Sequence, residues 1–236
     1  MKRETAPGGR PFRAEPVEAV LPVKAVLPVK AVLPVKAVLF DLDGVLVDSF
    51  AAWHEVLNRA LAERGLAPVD DAQMRTGWGQ GIQEDSRRYF RQEPVESLAA
   101  TFDRLFPACM ERITLMPGAL DTLAALVAGG LRLGVVTNTP RELAVRVLAR
   151  AGIAPYFAAL TGGDEVPLGK PDPAMLRLGS GRLGVPLAAC LFVGDTVVDV
   201  EAGRRAPCRT VGLGIDADLR IHSLPELLPL LRRLAP

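Results

Sequence analysis

Histidine and cysteine are scarce in this chain, and each scarcity closes off a chemistry. There are two histidines, His54 and His222, and three cysteines, Cys109, Cys190 and Cys208. So few histidines give little support to a Ser/His or Cys/His triad, and both are expected to serve structure. The cysteines form no CxxC pair, and an odd number leaves one unpaired in any disulfide scheme. That pattern fits a reducing compartment, so a cytoplasmic location is expected. Cys190 is expected to be an inert buried thiol. An excess of one charge is missing too. The chain has 28 basic and 27 acidic residues, a net charge of +1, which leaves no electrostatic footprint for nucleic acid. No uninterrupted apolar segment near the start suggests a secretory leader, and the regularly spaced N-terminal lysines break any run that could span a membrane. What is present, 236 residues at 49% apolar content, is enough for one or two globular domains. A monomer or homodimer is expected.

The most informative segment is Phe40 to Ser49, FDLDGVLVDS. The apolar run Ala37-Val38-Leu39-Phe40 reads as a buried strand and ends in two aspartates one residue apart. Asp41 and Asp43 then stand at its carboxyl end, where open α/β sheets bind ligands. Gly44 lets the chain turn sharply and brings backbone N–H groups near a ligand. Two carboxylates so close repel each other unless one is protonated or a cation lies between them. The pair suits a divalent metal, or one nucleophile beside one acid/base.

Three later segments match it. Leu131 to Pro140, LRLGVVTNTP, is a second apolar strand with Thr137 and Asn138 at its exit. Thr137 offers a hydroxyl, and the N–H groups that follow can hold an anion. Thr139-Pro140-Arg141-Glu142 has capping-box spacing, with proline at the first helical position. Lys170 lies in Leu168-Gly169-Lys170-Pro171-Asp172-Pro173. The chain's only lysines are Lys2, Lys24, Lys30, Lys36 and Lys170, so beyond Lys36 every other basic residue is arginine. A compact ammonium beside a phosphoryl group or carboxylates explains the exception. Asp172 and Pro173 suit the N-cap and first residue of another helix. Cys190 to Asp199, CLFVGDTVVD, is a third apolar strand followed by a helix. The four-residue spacing of Asp195 and Asp199 puts both on one helical face. With Asp41 and Asp43 they would form a four-acid cluster around a hard cation held through oxygen, and Mg²⁺ fits.

DxDG, then a strand ending in Thr-Asn, then Lys-Pro, then GDxxxD: in that order these motifs resemble the haloacid dehalogenase superfamily. More narrowly they resemble its phosphoglycolate-phosphatase and β-phosphoglucomutase-like branch, over Ala37 to Gly214. The resemblance implies a doubly wound, Rossmann-like α/β sheet with an inserted α-helical cap, and a Mg²⁺-dependent phosphatase acting on a small phosphorylated metabolite. By resemblance, Asp41 is the nucleophile that forms an aspartyl-phosphate, and Asp43 protonates the leaving group and then activates water. Thr137 is a phosphate ligand, with Gly44 and Asn138 beside it, and Lys170 balances charge on nucleophile and phosphoryl group. Asp195 is a metal ligand with Asp41 and the Asp43 backbone carbonyl, while Asp199 acts through water or as support. Asp43 argues against dehalogenation, because a halide leaves without a proton. A phosphosugar mutase on the same scaffold is the alternative, along with a non-catalytic phospho-acceptor or interaction domain. A phosphonate hydrolase of the family would use a cap lysine, and residues 50–116 contain none.

The remaining chain divides around these motifs. Residues 19–36 hold three copies of AVLPVK, and a fourth begins at Ala37. Proline every six residues breaks helix and central-strand pairing, so residues 1–33 are expected to be extended or disordered. Residues 34–49 and 117–236 are assigned to the core, and 50–116 to the cap. Within the cap, helices are expected over 51–64, 71–76, 83–91 and 95–113, between two chain crossings. The loop Thr76 to Gly81 is expected to face the site through Trp78 and Gln80. Trp78 suits either a substrate stack or the cap–core seam, and Arg87, Arg88 and Arg91 a solvated face. Pro207 stands where the family has a glycine. A strand over 209–213 and a helix over 224–234 are expected to close the chain.

Overall fold

The structure, a computed structural model, describes residues 34–234. The expected arm over 1–33 lies outside them. Strand β1 (Ala37–Phe40) is wholly buried. Its alternating side chains feed two cores. Val38 and Phe40 enter one, and Ala37 and Leu39 the other. A central strand buried on both faces reads as a continuous apolar run, which is why AVLF carries no polar alternation.

Five further strands complete the sheet: β4 (Arg132–Val136), β5 (Ala159–Thr161), β6 (Cys190–Gly194), β7 (Arg209–Leu213) and β8 (Leu219–Ile221). Their order is β5-β4-β1-β6-β7-β8, and each pairing is parallel. From β1 the chain moves outward through β4 to β5, then returns to β6 on the other side of β1. The carboxyl end of β1 is therefore a topological switch point, where such sheets place their ligands. Helices α5 (Ala119–Ala128), α6 (Arg141–Arg150) and α9 (Leu227–Leu234) contribute to the first core, α7 (Ala174–Leu183) and α8 (Val197–Arg205) to the second. The doubly wound α/β sheet expected from the sequence is the observed fold.

Between β1 and β4 the chain leaves and re-enters through a two-stranded antiparallel ribbon, β2 (Val47–Asp48) and β3 (Thr114–Leu115). These are the two expected crossings. The intervening helices are α1 (Phe50–Glu63), α2 (Asp71–Arg75), α3 (Ile82–Tyr89) and α4 (Val95–Leu105). Their apolar faces, with Leu57, Leu61, Leu98 and Phe102, join the first core, as does Phe106 just after α4.

Some expected elements differ, each for a local reason. The single helix over 95–113 ends at Leu105 and continues as a tighter turn over Phe106–Arg112, with Pro107 near its start. Proline lacks the N–H that an α-helical ladder needs. Helix α3 stops at Tyr89, because Arg91 and Gln92 adopt left-handed backbone. Helix α6 is not capped by Thr139. It begins at Arg141, with Pro140 before it, and Asp164 Oδ1 accepts the Arg141 N–H at 2.7 Å. Helix α7 begins at Ala174 rather than Pro173, with Asp172 Oδ1 accepting from Ala174 N at 2.8 Å. Helix α8 begins at Val197, so Asp195 precedes it and does not share a helical face with Asp199. Strands β5 and β8 are too short to stand out in the sequence.

Gly163 shows how closely the loops behind the site are packed. A Cβ there would overlap the Asn138 carbonyl oxygen, and backbone yields less readily than a side-chain tip. Gly163→Ala is expected to destabilise the fold by about 1–3 kcal/mol. Urea unfolding would show this as a lower midpoint with an unchanged slope.

Candidate active site

The carboxyl ends of β1 and β6, with the loop before α7, bring Asp41, Lys170, Asp195 and Asp199 together. Lys170 is buried, and its Nζ donates to Asp199 Oδ1 at 2.6 Å. The same Nζ lies 2.7 Å from Asp41 Oδ1, an ionic contact outside hydrogen-bonding angles. Burial works against the ammonium, but the Asp199 and Asp41 carboxylates hold it charged, above the ordinary lysine range. Burial pushes the Asp41 carboxyl well up. Lys170 opposes that shift, while Asp199, Asp195 and Asp43 add to it. Asp195 is raised to about 7, first by burial and then by Asp199, against Lys170. Its Oδ1 is buried without a hydrogen-bond partner.

Asp199 is committed on both sides. Oδ1 receives Lys170, and Oδ2 receives the Thr196 hydroxyl at 2.5 Å and the Thr196 N–H at 3.0 Å. The carboxylate thus caps α8 while pairing with the lysine. Oxygen atoms of Asp41, Asp195 and Asp199 lie within 4.8 Å of one another. Three carboxylates, with Oδ1 of both Asp41 and Asp195 buried outside any hydrogen bond, and a single cation fit a hard divalent ion bound through oxygen. Gly44, with φ +86°, closes this side. A Cβ there would overlap Asp195 Oδ2, and the conformation itself disfavours other residues.

The expected four-acid cluster is therefore three acids plus one apart. The Asp43 side chain turns toward the helical insertion and is held by hydroxyls and an indole. Ser49 Oγ donates to Oδ1 at 2.5 Å, and Trp53 Nε1 donates to the same oxygen at 3.1 Å. Thr139 Oγ1 donates to Oδ2 at 2.7 Å, and Thr137 Oγ1 lies 3.4 Å from it. Thr139 spends its hydroxyl here, which explains why it does not cap α6. Trp53 sits in α1 between Phe102 and Phe106, with ring centroids 6.0 and 4.5 Å away.

Asn138 is placed at the site, but its side chain is committed elsewhere. Nδ2 donates to Gly79 O at 2.8 Å and Lys170 O at 3.0 Å, while Oδ1 accepts from Lys170 N at 2.8 Å. It fastens the insertion loop to the lysine loop and is no side-chain anion ligand. Gly44 N–H is also taken, by Val47 O at 2.8 Å. Among the described residues, the N–H groups of Leu42, Asp43 and Asn138 make no hydrogen bond, so they are the open anion donors.

A cavity of about 80 Å³ opens over Asp41, Asp43, Thr137 and Lys170, roofed by Trp53, Met74, Trp78, Gln80, Ile82, Asp85 and Tyr89. Trp78 and Gln80 both line it, and Trp78 also packs on Phe50 at 5.1 Å, so it touches seam and cavity together. Arg87 and Arg88 pair with Glu84. His54 has Nε2 2.6 Å from Val69 O and Nδ1 3.1 Å from Asp71 Oδ1, a structural pairing. The three cysteines are buried and form no disulfide. No described helix is long and apolar enough to cross a membrane.

Sequence reasoning missed Ser49, Trp53, Thr139, Thr196 and Asp85. Ser49, Thr139 and Thr196 lie inside or beside the quoted motifs, and their hydroxyls could have been read as partners for the acids. Trp53 and Asp85 carry no sequence signal, because only the packing of α1 and α3 over the sheet turns them inward.

This arrangement has close counterparts. The family model described as haloacid dehalogenase-like hydrolase matches residues 35–207. A phosphoglycolate phosphatase of Yersinia pseudotuberculosis is 37% identical over 182 residues, covering 74% of this chain and 78% of its own. The crystal structure of CbbY from Rhodobacter sphaeroides in complex with phosphate superposes with a TM-score of 0.73 at 27% identity, over 82% of this chain and 96% of that one. β-Phosphoglucomutase from Clostridium difficile shares the fold, with a TM-score of 0.75 at 22% identity over 85% and 96% of the two chains. The chain belongs to the haloacid dehalogenase-like hydrolase family and is a phosphatase of it.

Proposed function

We propose that this phosphatase hydrolyses a small phosphomonoester through a phosphoryl group carried on Asp41, with Asp43 moving the proton. The observation that carries the reading is the separation of the two aspartates. Asp41 lies with Lys170 and the acidic trio, while Asp43 is held apart among hydroxyl and indole donors. In the first step an Asp41 oxygen attacks phosphorus, the ester P–O bond breaks, and the leaving alkoxide takes a proton from Asp43. In the second, water gives a proton to Asp43 and attacks phosphorus. The bond to Asp41 breaks, and inorganic phosphate leaves.

Each other group has a physical task. Lys170 offsets charge beside the nucleophile. The N–H groups of Leu42, Asp43 and Asn138, which have no acceptor among the described residues, would donate to phosphoryl oxygens, and Thr137 would add a hydroxyl. Asp41 and Asp195, with the Asp43 carbonyl, would hold Mg²⁺, and Asp199 fixes their surroundings through Lys170 and Thr196. When bound, the ion would neutralise phosphoryl charge. The helical insertion acts as a cap that excludes water from the phosphoryl site. Phosphoglycolate, after which the Yersinia relative is named, is the first ester to assay.

Phosphate release with Mg²⁺ should occur in the wild type and fall by about a thousandfold or more in Asp41→Asn. An active Asp41→Asn enzyme would contradict the reading. Metal binding must displace the proton that Asp195 holds below about pH 7. Added Mg²⁺ should therefore raise the unfolding temperature more at about pH 8 than at about pH 5.5. Equal shifts at both would show that Asp195 is not a ligand.

Trp53→Phe keeps an aromatic ring between Phe102 and Phe106 but removes the N–H. It should lower kcat for alkyl phosphates about tenfold and leave p-nitrophenyl phosphate, whose leaving group needs no proton, within about threefold. Equal losses for both esters would show that Trp53 serves packing alone.

A further inference from the structure

The half of the cavity above the phosphoryl site has an unusual charge make-up. Its wall is mostly apolar, built from Trp53, Met74, Trp78, Ile82 and Phe102 with the neutral polar groups of Gln80 and Tyr89, and it contains one carboxyl, Asp85. Among the described residues the Asp85 carboxyl makes no hydrogen bond or ion pair. Among the described residues the only cation lining the cavity is Lys170, already held between Asp41 and Asp199. The nearby arginines, Arg88 included although it acts on Asp85 electrostatically, are committed to other partners. Arg64 pairs with Glu93, Arg75 lies 4.2 Å over the Phe50 ring, and Arg87 and Arg88 pair with Glu84. The N-terminus of α3 offers no free positive end, because Glu84 and Asp85 occupy its first turn.

These facts bear on the part of the substrate that leaves. A carboxylate or second phosphate placed here would lose its water without gaining a cation, and it would sit beside another acid. A hydroxyl or ammonium group would instead meet a partner that lacks one. Resting on the phosphatase reading above, we propose that Asp85 selects leaving groups that carry a hydroxyl or ammonium group and rejects those that carry a second anion. Burial, and next the neighbouring Glu84, raise the Asp85 acid to about 7 against the pull of Arg88. Its demand for a partner is thus strongest above neutrality. Phosphoglycolate carries the disfavoured carboxylate, so this enzyme is inferred to differ in substrate from the relative named for that ester.

Three esters of matched size separate the cases: 2-phosphoglycolate, 2-hydroxyethyl phosphate and 2-aminoethyl phosphate, assayed with Mg²⁺ at about pH 8. In the wild type, kcat/KM for the hydroxyl and amino esters should exceed that for phosphoglycolate by about tenfold or more. In Asp85→Asn the amino ester should fall and phosphoglycolate should rise, bringing the three within about threefold. Asp85→Ser makes the same comparison should the asparagine variant fold poorly. Phosphoglycolate as the best wild-type substrate, or an unchanged spread in both variants, would overturn the selection by Asp85. Turnover by Asp41→Asn equal to that of the wild type would instead overturn the underlying phosphatase mechanism, and the proposal with it.

Discussion

One buried ammonium holds this site together. Lys170 stands between the Asp41 and Asp199 carboxylates at 2.7 and 2.6 Å, with all three side chains almost wholly removed from solvent. Without that cation, two carboxylates and the neighbouring Asp195 would face one another in a medium that screens poorly. Removing one partner of such a group leaves an uncompensated charge, and a compact ammonium fills the place in a chain that beyond Lys36 otherwise uses arginine. Arginine's planar fork would need more room and would spread the charge. Burial still outweighs Lys170 at Asp41 and Asp195, whose acids remain raised. The acidic trio is therefore set to exchange protons for a divalent ion.

The lysine loop is positioned in turn by Asn138. Its amide binds Lys170 N and Lys170 O, and also Gly79 O in the helical insertion. Trp53 makes a second link, because an indole packed among the insertion's aromatics donates to Asp43. The helical insertion thus touches both the lysine loop and the Asp43 carboxyl. The same helices supply Asp85 and the mostly apolar wall, so a single insertion lines the space above the site.

Much of this was legible in the sequence, for identifiable reasons. AVLF was readable as a two-sided buried strand because it lacks alternation, and the acids at strand exits were readable because sheet topology brings such ends together. The solitary Lys170 stood out against the composition. Direction was not legible. Asp43 and Asp41 lie two residues apart yet turn to different neighbours, and Asn138, read as an anion ligand, spends its side chain on two loops. Thr139 looked like a helix cap and instead serves Asp43. Such choices depend on contacts between residues distant in sequence, as does the inward turn of Trp53 and Asp85.

The central claim is that phosphorus passes through Asp41. The most direct measurement is rapid acid quenching during turnover of a hydrolysed ester, followed by peptide mass analysis of the trapped protein. The account predicts a phosphoryl group on the peptide carrying Asp41, appearing before free phosphate and decaying as phosphate accumulates. Full turnover with no phosphorylated peptide at any time, or with the group on another residue, would contradict it.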